Sequence, residues 1–280
     1  MAILTAIIRL IMLRKREGSL NFRELVTAAV HKKETLIDND LMRYSLRSVY
    51  AGAYLTLSTA AGAFMATHMF PDAAGMAKVF YAFFFAFGLV YILFLGGELA
   101  TSNMMYTTAG VYFKELKVSK QVKILVVCTL FNLIGALFMA WLFSFMPHFK
   151  EMAADYILVG TVNSKLAKPV INLLVEGIIA NVFVNVAILS FMLVKNQVGR
   201  MILVLTAVTM FVALGTEHVI ANFASFGLVY FSELGGQFSF LSFLIQWFWV
   251  WIGNLIGGGI FIGLGYAYLN HPKSTYTDSV

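Results

Sequence analysis

Six apolar runs, each long enough to cross a bilayer, constrain this chain more than anything else in it. They lie near residues 48–70, 79–111, 124–146, 170–194, 201–232 and 241–269. Each reaches the roughly 20 residues that a hydrocarbon core about 30 Å thick requires of a helix. Such a core offers no water to backbone N–H and C=O groups, so spanning segments must satisfy their own backbone. The chain therefore reads as an all-α integral membrane protein. With 60% of its 280 residues hydrophobic and only 12% charged, it falls far below the quarter charged that is usual in soluble domains. The lone cysteine, Cys128, has no intrachain partner for a disulfide.

The formal charge of +6 has to be located before it is interpreted. If both termini lie on one side, that side holds 16 of the 20 Lys and Arg residues, leaving Lys78, Lys150, Lys165 and Lys168 opposite. The excess marks the cytoplasmic side of an inner or plasma membrane and gives no reason to expect nucleic acid as a partner. Residues 1–47 then form a cytoplasmic tail, 48–270 the membrane domain and 271–280 a cytoplasmic C-terminal tail. The opening MAILTAIIRLIML is too short to span and precedes its basic cluster, the wrong order for a secretory signal. It and the following NFRELVTAAVHKK are expected to lie as amphipathic helix on the lipid surface, with a frayed tail as the alternative.

Two runs are too long. Residues 79–111 would form a helix of roughly 50 Å at 1.5 Å per residue. Both long runs carry glycine and a carboxylate near their middles, GGELATSN in one and GTEHVIAN in the other. Interrupted apolar segments at matching places in two halves point to a binding site near the midplane of a transporter. The halves also align: Gly96, Glu98 and Asn103 recur as Gly215, Glu217 and Asn222 at an offset of 119, and NLIG at 132–135 recurs at 254–257, an offset of 122. Three spans per copy is odd, so the second copy must be inverted. The expected architecture is a 3+3 inverted repeat, residues 48–146 and 170–269, with the second and fifth spans broken.

Carboxylates and amides beside a break can supply the bonds that unwound backbone loses, and this is the expected role of Glu98, Asn103 and Asn222. Glu217 has a histidine beside it and no basic residue nearby in sequence. His218 stands where the first repeat has Leu99, so repeat geometry alone does not require it. An ionisable group inside a membrane span is a functional hypothesis by default, and imidazole exchanges protons near neutral pH. The alternative is a histidine satisfied by packing. No metal-ligand set, nucleophile elbow or phosphate loop is present, and no cofactor is expected. His31, His68, His148 and His271 fall in tails or near segment ends.

GGELATSNMM, GTEHVIANF and GNLIGGG together resemble the signature stretches of the formate/nitrite transporter family, over nearly the whole chain. The resemblance implies an aquaporin-like six-span fold in the lipid bilayer, a homopentamer, and passage of one small monovalent anion or its acid through each protomer. It places Thr101 and His218 opposite one another in the pore, and makes Lys165 the outer cation that draws anions inward. Phe85, Leu89, Leu99 and Phe211 match its apolar constrictions, and Asn181 and Asn254 its pore asparagines. Thr216, where a bulky residue is expected, and Glu176, before Gly177, depart from the pattern. The mechanism this suggests is neutral-acid passage, with the proton from His218 or from water and with Glu217 biasing the imidazole. A permanently protonated His218 is the competing scheme. Formate leads among substrates because TSN looks more like the formate members; nitrite, acetate, lactate and hydrosulfide stay open. A channel for neutral solutes and a membrane enzyme are the alternative classes.

Overall fold

The structure is a computed structural model describing residues 21–69 and 72–271. The apolar stretch 1–13, its basic cluster and residues 272–280 lie outside the described residues. Those described form helices and contain no strand. In chain order the longer helices are α1 (Phe22–Asn39), α2 (Leu41–Met69), α3 (Ala74–Phe94), α4 (Ala100–Tyr112) and α5 (Val118–Phe143). The short α6 (Pro147–Lys150) and α7 (Ile157–Leu166) lead into α8 (Val170–Leu193), α9 (Gln197–Ala213), α10 (Val219–Tyr230) and α11 (Phe240–Asn254). From α11 the chain continues through a π-helical stretch, Leu255–Leu264, into α12 (Gly265–Leu269).

Five helical stretches of 21 to 30 residues are long and apolar enough to cross a membrane, which makes this a multi-pass membrane protein. The first begins at Leu41 rather than 48, so the expected boundary at residue 47 falls inside α2. The expected run 79–111 is divided into α3 and α4, and 201–232 into α9 and α10. Helix α2 packs on α5 and α3, and α8 packs on α11 and α9. Backbones touch at these crossings: a Cβ on Gly135 would lie 1.9 Å from the Val49 carbonyl oxygen, and one on Gly257 would lie 2.2 Å from that of Ile178. Gly253 packs on α8 in the same way, a Cβ there lying 2.5 Å from the Leu174 carbonyl oxygen.

Helix α1 departs from expectation. Asn21 and Glu24 close a capping box, each side chain accepting from the other's backbone N–H at 3.0 Å. Phe22, Val26, Val30 and Ile37 then repeat on one face and are buried against the protein itself, not laid into lipid. Lys33 shares that face and is 6% exposed. A lysine so placed needs an anion, and it finds the carboxylate of Glu98 at 2.5 Å. Outside, Arg23 and His31 each lie 3.5 Å from Glu115, and Lys120 bonds Asp38. The helix is therefore fastened to the bundle by charge as well as by its apolar stripe.

Removing one partner of a buried ion pair leaves an uncompensated charge, at a cost of about 3–5 kcal/mol. Lys33→Ala is expected to destabilise by that order, read as a lower melting temperature in detergent, and Lys33→Met with Glu98→Gln should recover most of the loss.

Candidate functional site

The site begins with two interrupted helices. After α3 the chain turns at Gly96, with φ +71°, and after α9 at Gly215, with φ +73°. An L side chain rarely adopts this left-handed conformation, whereas glycine does so freely. Residues 95–99 and 214–218 are then non-helical, and their peptide groups need partners inside the protein. One asparagine serves each break. The Asn132 amide donates to the carbonyls of Glu98 (2.9 Å) and Ser48 (2.7 Å), while its oxygen accepts from Ala100 N–H at 2.9 Å. The Asn254 amide donates to those of Glu217 (2.9 Å) and Gly177 (2.8 Å), and its oxygen accepts from Val219 N–H at 2.9 Å.

The carboxylates at the breaks are buried and bound. Glu98 meets Lys33 and accepts from Asn103 at 3.3 Å. Glu217, fully buried, accepts from Asn222 (2.7 Å), Gln246 (3.0 Å), Lys165 (2.9 Å) and Lys168 (2.7 Å). The fold thus brings to Glu217 two lysines that lie 52 and 49 positions away in sequence. Two expectations change. Glu217 makes no hydrogen bond to the imidazole among the described residues, its oxygens accepting from these donors instead. Lys165 is no free cation either: it holds Glu217 and the Thr216 carbonyl, and Lys168 also bonds Glu176, so two carboxylates balance two ammoniums.

His218 caps α10, its Nδ1 accepting from Ala221 N–H at 3.1 Å. With that lone pair engaged, the proton of a neutral ring sits on Nε2, which lies 2.8 Å from the hydroxyl oxygen of Thr101 in the first turn of α4. The N-termini of α4 and α10 therefore meet at this bond, and two positive helix ends face one locus. Phe211 lies tilted at 40° to the ring with centroids 5.9 Å apart and meets Phe85 edge-on at 6.3 Å. Leu89, one turn beyond Phe85, and Leu99, just before α4, are buried in the same core. On the α7 side a cavity of about 590 Å³ is lined by Tyr81, Tyr156, Lys165 and Lys168 and ends on Phe85 and Phe211.

Asn181 and Asn254 are buried, and both amide groups donate to backbone carbonyls, Asn181 to those of Asn254 (2.7 Å) and Thr101 (3.2 Å). Five participants went unassigned in sequence: Lys33, Asn132, Asn185, Gln246 and Lys168. Asn185 bonds Asn181 at 3.0 Å and Gln246 bonds Glu217. A glutamine inside an apolar run was a usable signal for Gln246. Lys33 and Lys168 carried none, since each finds its carboxylate through tertiary contact.

A family model described as formate/nitrite transporter matches residues 22–268. The chain belongs to this family. It is 29% identical to a nitrite transporter of Escherichia coli (strain K12) over 191 residues, 68% of this chain and 70% of that one. It is likewise 29% identical to a formate channel of Bacillus thuringiensis over 184 residues, 65% and 69% of the two chains. Among solved structures, an FNT family ion channel superposes with a TM-score of 0.81 at 24% identity, covering 87% of this chain and 96% of that one. A pentameric formate channel with formate bound gives a TM-score of 0.67 at 20% identity, covering 81% and 96%. The fold of these channels is the fold of this chain.

Within this member of the formate/nitrite transporter family, Asn254→Ala leaves the Glu217 carbonyl and the Val219 N–H without their partner, at about 1–3 kcal/mol for each buried group. Asn254→Asp is expected to be nearly as damaging, because a carboxylate can accept from Val219 but cannot donate to the carbonyls. Melting temperatures of the two variants in detergent check this.

Proposed function

We propose that the protein is a channel for small monovalent anions of weak acids, formate first, which it passes as the neutral acid. The observation that carries this is the Thr101–His218 bond at the meeting of two helix N-termini, directly behind the Phe85–Phe211 closure of the vestibule. The relatives' names cover both formate and nitrite, and the TSN sequence at 101–103 puts formate ahead of nitrite, lactate, acetate and hydrosulfide.

An anion stripped of water at the aromatic closure faces a desolvation cost of several kcal/mol, and the neutral acid avoids most of it. The vestibule prepares the exchange through donors rather than net charge. All three protons of the Lys168 ammonium are engaged, by Glu176, Gly215 and Glu217, while among the described residues Lys165 bonds only Thr216 and Glu217, which leaves one proton for an anion. The proton then comes from hydronium in the bulk water of the vestibule, which returns to water as the carboxylate becomes the neutral acid. A neutral His218 holding its proton on Nε2 would become imidazolate if it gave that proton away. A doubly protonated ring would set Nδ1–H against Ala221 N–H and break the cap. His218 and Thr101 act instead as a hydrogen-bonding step between apolar constrictions at Phe85 and Phe211 and at Leu89 and Leu99.

The paired asparagine clamps and the matched turns at Gly96 and Gly215 support the inverted 3+3 repeat, each copy having its middle span broken. The Lys and Arg excess supports cytoplasmic termini, and the exposed apolar faces of α3, α5 and α11 suit lipid and neighbouring subunits of a homopentamer.

Uptake of labelled formate into proteoliposomes, corrected for protein-free vesicles, is expected to rise as the outside is acidified. His218→Asn should lower the rate about tenfold, the cost of roughly one hydrogen bond in the path, while keeping the rise. Loss of the pH dependence in the variant would instead make His218 the proton donor, and uptake indifferent to pH in both would end the neutral-acid scheme.

A further inference from the structure

Away from the pore, at the α7 side of the bundle, two exposed histidines face one another. His68 lies in the last turn of α2 and His148 in the short helix α6. Their ring centroids are 5.3 Å apart with planes at 89°, and Phe64 backs both, 4.1 Å from His68 and 5.0 Å from His148. The Nδ1 of His68 lies 2.8 Å from the Phe64 carbonyl oxygen. A carbonyl only accepts, so Nδ1 carries the proton and Nε2 keeps its lone pair. His148 makes no hydrogen bond among the described residues, so packing alone restrains its ring.

We propose that His68 and His148 form a binding site for a divalent transition-metal cation. Three observations converge. A metal about 2.0–2.1 Å from a nitrogen of each ring, at a near-tetrahedral angle, sets the centroids about 5 Å apart, close to the separation found. The carbonyl bond at His68 Nδ1 is the outer-shell contact that orients a metal-binding imidazole and selects its tautomer. Both rings are exposed, so a hydrated cation can reach them. No third His, Cys, Asp or Glu joins them among the described residues, leaving the other coordination positions to water. Imidazole and water ligands suit Cu(II), Ni(II) or Zn(II), and Cu(II) binds most tightly on the Irving–Williams order. The site is built next to Thr67, which lines the vestibule, and is independent of the transport reading.

The test is titration of Cu(II) into the purified full-length protein in detergent, followed calorimetrically and by electron paramagnetic resonance. One Cu(II) per protomer is expected, with spectral coupling to two imidazole nitrogens. His68→Ala and His148→Ala should each weaken binding by at least about tenfold, since losing even an outer-shell partner costs that much. Each should also leave coupling to a single nitrogen, and the double variant should bind no better than either. His31→Ala should change nothing. Elution profile and melting temperature verify that the variants are folded, and His68→Gln and His148→Gln stand in for any that is not. Coupling to one nitrogen in the unaltered protein, or affinity unchanged in either single variant, would show the pair to be aromatic packing around Phe64.

Discussion

A peptide group without a partner costs several kcal/mol in hydrocarbon, and this structure opens two helices in the middle of its core. Everything else there depends on how those openings are satisfied. Asn132 and Asn254 each supply one donor and one acceptor to a break, and a second donor to a carbonyl of the neighbouring helix, Ser48 in α2 and Gly177 in α8. Their positions require α5 and α11 to run close to α2 and α8, which explains why glycines stand at those crossings. With the breaks held, α4 and α10 begin in the middle of the protein and direct their N-termini at each other. The Thr101–His218 contact is a consequence of that placement.

The buried carboxylates follow the same logic with charge added. Glu98 and Glu217 flank equivalent breaks, but their cations come from different places: Lys33 from the N-terminal helix, and Lys165 and Lys168 from the segment between α7 and α8. Glu176 balances the second lysine. The α7 side therefore offers hydrogen-bond donors in a nearly neutral setting. The carboxylate beside the histidine belongs to this network rather than to the imidazole, which is held by backbone and by Thr101.

Much of the fold was legible because it follows from one-dimensional rules. Apolar length announced the spans. Excess length with internal glycine announced the breaks, and the recurrence of Gly, Glu and Asn at one offset showed that the two breaks are alike. Histidine in an apolar run drew attention to His218, and the family signature placed Thr101 across from it. Boundaries were less legible: α2 extends seven residues before the expected start at 48, because helix propensity carries on past the lipid while hydropathy does not.

The sequence by itself determined a multi-pass helical protein of the formate/nitrite transporter family with glycine turns inside the apolar runs 79–111 and 201–232, since hydrophobic length and glycine placement act locally along the chain. Only the tertiary structure decided what those interruptions hold. The partner of Glu98 is a lysine 65 positions away, Glu217 gathers two lysines and a glutamine from three elements, and α1 buries its apolar stripe in protein instead of lipid. Each is a pairing between groups that can exist unpaired in water but not in a low-dielectric interior, so the partner is set by which segments the bundle brings together.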